Sequence, residues 1–176
     1  MSLLLALARL WVPGPIKRQK LREWFELTAR GFKAKPPDLT NFSYQEMLRF
    51  YAKFTAGQAS RVLHAGRLSE ATKKRLSNLA REYGRNLRQQ FGVKTMPEAL
   101  GLGKLLYRLI GIDLQAPDPG HLAITRCFFR EYYTPDICRL MSALDEGVLT
   151  GLSGCKTLKF TRRLTEGHSQ CRAQLQ

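Results

Sequence analysis

The chain has 176 residues, of which 44% are hydrophobic and 24% charged, so it has the composition of a folded protein and not of a disordered one. Twenty-nine Lys and Arg against fourteen Asp and Glu give a net charge of +15, which favours anionic partners such as nucleic acid, acidic lipid or an acidic protein, and reads otherwise as a solvated basic surface. No apolar run is long enough for a transmembrane helix.

The first twelve residues are apolar but lack both a basic start and a small-residue cleavage site, so they read as a short helix over 3–11 and not as a secretory leader. Pro13-Gly-Pro15 stops that helix, and a second is expected from Pro15 to Gly31, with Leu21, Trp24, Phe25 and Leu27 as its apolar stripe. Ser43 followed by Glu46 forms a capping box for a helix running to about Ala65. Ser69 opens the next helix, which extends to about Phe91 with Leu76, Ala80, Tyr83 and Leu87 at three- and four-residue spacing. Pro97 begins another, ending at Gly111.

The period then changes. Residues 111–120, with Pro117-Asp-Pro119, read as a connector, and His121–Phe129 as a central strand buried on both faces. Thr134-Pro-Asp starts a helix running to about Leu149. Lys156–Leu164 and Ser169–Leu175 then form a hairpin around Glu166-Gly167, with Cys171, Ala173 and Leu175 on one inward face. The expected fold is α+β: a helical layer packed on a small, mainly antiparallel C-terminal sheet with one intervening helix. The chain reads as one domain, with a peripheral helix over 1–14, a basic helical half over 15–111 and a cysteine-bearing half over 112–176.

All four cysteines lie in the last fifty residues. Without a leader they are expected to be free thiols in a reducing, cytoplasmic setting. Cys138, Ser142 and Asp145 recur at i, i+4 and i+7 and therefore share one side of a helix. Leu140, Met141, Leu144 and Val148 flank Asp145, and burial among them would raise its pKa into the range of a general acid or base. Cys127 on the preceding strand and Cys171 on the following hairpin become neighbours through short connections, with Glu166 and His168 at the hairpin tip. The same cysteines also read as small packing hydrophobes, and Asp145 as a solvated carboxylate.

These residues resemble the L-2-amino-thiazoline-4-carboxylic acid hydrolase family and, more loosely, the small-molecule-binding domains of the 4-vinyl reductase type. The resemblance covers roughly residues 115–176: a strand cysteine (Cys127), a helix acid (Asp145) and a hairpin reading Thr165-Glu-Gly-x-x-x-Cys171. It implies a small organic ligand and hydrolysis of a ring carbon–nitrogen bond. Cys127 would be the nucleophile and Asp145 the acid/base, assisted by His168 or Glu166, with Cys171 in the same site. Arg126, Arg130 and Arg162 are the cations available to favour a thiolate. Where the family commonly carries a second cysteine, three residues before the acid, this chain has Ser142.

No cofactor is required by these residues. Zinc or iron is the competing use of Cys127, Cys138, Cys171 and His168, although no Cys-x-x-Cys pair occurs. The basic helices, carrying Arg61, Arg67, Lys73, Lys74, Arg75, Arg81, Arg85 and Arg88, suit phosphates but come with no nucleic-acid-binding fold. An anionic membrane surface, met by Leu3–Val12 and the lysines and arginines that follow, suits them better than nucleic acid.

Overall fold

Helix starts in the computed structural model, which describes residues 12–66, 69–118 and 120–176, follow their capping chemistry. Helix α1 spans Gly14–Phe32 and α2 spans Tyr44–His64; at the start of α2 the Ser43 N–H donates to Glu46 Oε2 at 2.8 Å while the Glu46 N–H donates back to Ser43 Oγ. Helix α3 is Ser69–Gln90 and α4 is Met96–Leu109, which carries a second capping box, Thr95 with Glu98. Gly31 does not end α1, as its identity suggests. The helix closes at Lys33, in the left-handed region at φ 56°, and Gly31 is instead buried against α3. A Cβ there would lie 2.3 Å from Leu76 Cδ2, so glycine is kept for proximity.

The C-terminal part contains β1 (Ile112–Asp118), β2 (His121–Cys127), helix α5 (Pro135–Ser153), β3 (Leu158–Arg162) and β4 (Cys171–Leu175). The strands form one antiparallel sheet in the order β1-β2-β4-β3. The α+β expectation holds: helices come first and the sheet is C-terminal.

Three expectations are corrected. Residues 112–118 are an edge strand and not a connector; Pro117 is tolerated there because an edge position can forgo its N–H bond. Strand β2 is central, but His121, Thr125 and Arg126 on its outer side are exposed, so it is buried on one face only. It also ends at Cys127, where a 3-10 turn over Phe128–Glu131 takes over.

Helix α5 runs from a Thr134 cap to Gly154 and lies against α3, with the inner face of the sheet beside it. Its approach to α3 is set by glycines. A Cβ on Gly147 would fall 2.3 Å from Ser77 O, one on Gly151 2.3 Å from Arg81 O, and one on Gly84 2.4 Å from Val148 O. The inner face of the sheet presents Ile112, Leu114, Leu122, Ile124, Leu158, Ala173 and Leu175, all buried.

Among the described residues no helix is long and apolar enough to cross a membrane. The expected helix over 3–11 and Arg67 lie outside the described residues.

Candidate functional site

A bulge aims the first cysteine. Strands β1 and β2 pair Leu114 with Ile124 but Asp113 with Arg126, so Thr125 is an extra residue and the alternation of β2 shifts by one. Cys127, paired with Ile112, therefore joins Ile124 on the inner face instead of pointing outward. Cys171, paired with Ile124 across β2 and β4, lies on that face as well. The two thiols are thus on one side of the sheet, the side on which α5 lies.

Between α5, the 3-10 turn and the first two helices is a cavity of about 70 Å³. Trp24, Tyr51, Phe129 and Tyr133 supply its aromatic lining, and Cys127, Cys138, Ser142, Asp145, Thr165 and Arg130 its polar groups. The i, i+4, i+7 row on α5 therefore reaches one space. The rings are fixed by mutual contact: Tyr51 stands edge-on to Phe129 at 5.8 Å, and Phe129 lies 5.3 Å from Tyr133. The Tyr133 hydroxyl is held by Thr55 Oγ1 at 2.6 Å.

Asp145 is half-buried because it lines this cavity, yet protein surrounds its carboxyl closely on the remaining sides. Burial raises its pKa to about 6, against the pull of a Tyr107 hydrogen bond and the Arg163 charge. The Tyr107 hydroxyl donates to Asp145 Oδ1 at 2.7 Å. Tyr107 itself is fully buried, and burial together with the Asp145 charge lifts its own pKa, so it stays a donor.

The thiols behave differently from the nucleophile expected above. Burial pushes Cys127 up to about 12 and Cys171 up to about 11, and raises Cys138 as well. All three are protonated at neutral pH, and the nearby Asp145 charge opposes any thiolate further. Arg126 and Arg162 are exposed; Arg130, also exposed, lines the cavity. The cation that acts on Asp145, Cys138 and Cys171 is Arg163, which sequence reasoning missed. Among the described residues its Nε is buried without a hydrogen-bond partner, while Thr165 on the cavity wall acts on the Cys138 thiol.

Three residues expected in the site stand outside the cavity lining. Cys171 lies buried below, its Sγ accepting the Leu164 N–H at 3.3 Å. Glu166 pairs with Arg139 at 2.9 Å and Arg163 at 3.8 Å, and His168 is exposed at the hairpin tip. Ser142 Oγ donates to Cys138 O at 2.8 Å and is occupied by its own helix. Among the described residues no cluster of three His, Cys, Asp or Glu side chains could hold a metal ion.

No protein-family model and no curated protein matches this chain. A cleft of about 600 Å³ shares Cys127 with the cavity and is bordered by Lys17, Tyr44, Arg126 and Phe128. Cys127 thus lies between the two spaces, and the charges that act on its thiol are those of Asp145, Cys138 and Cys171. Trp24, Tyr51 and Tyr107 come from the helical half, far from the cysteines in sequence; Trp24 was marked in advance only as part of an apolar stripe, and nothing singled out Tyr107.

Proposed function

We propose that this protein binds a small organic molecule in the cavity beside α5, which must widen beyond its about 70 Å³ to admit a ring, and that Asp145 exchanges a proton with it. The observation that supports this is a carboxyl group with a pKa raised to about 6, bonded to Tyr107 and set among aromatic rings. With Tyr107 as its donor and Arg163 acting only through its charge, the carboxylate is incompletely compensated, and a ligand N–H would complete its hydrogen bonding.

The catalytic extension follows the thiazoline-carboxylate resemblance. The Cys127 thiol adds to the ring carbon while the Asp145 carboxylate takes its proton, since no thiolate stands ready. Asp145 then returns that proton to the departing nitrogen as the ring C–N bond breaks, and water releases the product from the sulfur. A second reading, binding without turnover, is favoured by one feature. Ser142, standing where the family has a thiol, is committed to the Cys138 carbonyl.

Incubation with L-2-amino-thiazoline-4-carboxylic acid, followed by mass spectrometry for a product one water heavier, separates these readings. Turnover lost in Asp145→Asn and Cys127→Ala supports the hydrolase. Retained binding without product in the parent chain supports the second reading. Undiminished turnover in both variants contradicts the proposed mechanism, and absence of both binding and turnover removes this ligand.

A further inference from the structure

The cavity leaves the basic helix α3 unused, yet its cations are not evenly spread. On one side of α3, Glu82 joins Glu23 and Glu26 of α1 around a groove that also holds Arg30. On the other side, Arg81, Arg85 and Arg88 face the C-terminal end of α5, and Lys94 and Lys156 complete a second groove of about 600 Å³. Among the described residues five cations and no acid line it. A uniformly basic, solvated surface would not sort its charges in this way.

Two of the five are held by the fold. Arg81 donates to Lys156 O at 3.0 Å, and Arg88 donates to Leu152 O at 3.3 Å while lying over Gly154. They complete carbonyls at and beyond the end of α5 and are fixed in place by doing so. Among the described residues, the side chains of Arg85, Lys94 and Lys156 have no hydrogen-bond or ion-pair partner. Like charges gathered in a concavity raise its potential, and a multivalent anion relieves that repulsion more than separate monovalent ions can. From Arg81 to Arg88 the axial distance is roughly 10 Å at the α-helical rise, so the cations are gathered over a short span.

We propose that this groove is a binding site for a compact polyphosphate, two or three linked phosphates, distinct from the cavity beside α5. Guanidinium groups grip adjacent phosphate oxygens in pairs, and the two lysines close the open end as point charges. The concave shape and short span favour such an ion over an extended nucleic-acid backbone.

Cys155 lines the same groove and reports on its occupancy. The full-length chain is labelled with neutral iodoacetamide in the presence of inorganic pyrophosphate, and each cysteine is followed by peptide mass spectrometry. Pyrophosphate at about ten times its dissociation constant should slow labelling of Cys155 about tenfold and leave Cys127 unchanged. The double variant Arg85→Gln, Lys156→Gln should lose that protection with an unchanged melting temperature; Arg81 and Arg88 are spared because they also hold backbone carbonyls. A nucleoside diphosphate protecting at lower concentration than pyrophosphate supports a nucleotide as the source of the phosphates, and equal potency supports the phosphate chain alone. The proposal is overturned by no protection, by equal protection from potassium chloride of matched ionic strength, by protection that survives in the double variant, or by protection from a single-stranded oligonucleotide alone.

Discussion

Ionising Asp145 places a charge beside Tyr51, Phe129 and Tyr133, with the Tyr107 hydroxyl as its hydrogen-bond donor. Its folded pKa, about 6, exceeds the unfolded value of 3.8, so the folded state holds the proton more tightly. Stability from this group is therefore greatest below the unfolded value and falls as the pH rises through about 6. Above that it levels off at a cost on the order of 3 kcal/mol. Asp145→Asn still accepts from Tyr107 and should flatten that slope, leaving the variant more stable than the parent at pH 7 by about 1–3 kcal/mol in urea melts. Tyr107→Phe removes the donor, should raise the Asp145 pKa further, and should lower stability by about 1–3 kcal/mol. The inward aim of Asp145 was legible from Leu140, Met141, Leu144 and Val148, and that of Cys171 from strand alternation. The aim of Cys127 was not, because it turns on a bulge at Thr125 that no residue type announces. Nor could sequence separate Arg162 from Arg163: adjacent and chemically identical, they are sorted only by the sheet.

At the level of elements, the closest joint is α3 on α5. Any side chain at Gly147 or Gly151 meets backbone of α3, which cannot yield as a flexible side chain can. Gly147→Val and Gly151→Val should each cost at least about 3 kcal/mol in urea unfolding. Gly57 of α2 is the contrasting case: a Cβ there meets nothing within 4 Å and its φ is ordinary, so Gly57→Ala should stabilise by about 0.5–1 kcal/mol. Helix starts were legible because capping is local: Ser43 with Glu46 reads directly. Helix ends were less so, since Gly31 and Gly151 resemble terminators but serve close packing. Strand β1 was hidden by Pro117-Asp-Pro119, although Ile112, Leu114 and Ala116 alternate as a strand requires.

Across the whole molecule, α5 belongs to both halves: it is entered from the sheet and packed on α3. A fragment of residues 112–176 should therefore lack cooperative unfolding by circular dichroism, because the glycine face of α5 has lost its partner. A fragment melting cooperatively with native-like helix content would refute that dependence. The fold class was legible because helical periodicity fills the chain up to residue 111 and the strand-like segments all follow it, with one helix between them. The site was only partly legible. Its carboxyl and thiols crowd the last fifty residues, but its aromatic lining reaches back to Trp24 and Tyr51, and pattern alone does not show which helix faces meet.

The most direct measurement is the titration of the Asp145 carboxyl itself. In protein labelled with 13C at the aspartate carboxyls, one resonance, absent from Asp145→Asn, should titrate near pH 6 and shift when a ligand enters the cavity. A resonance that instead titrates near 4, as a solvated aspartate does, would mean that the acid is not sheltered and that the proposed chemistry has no proton donor.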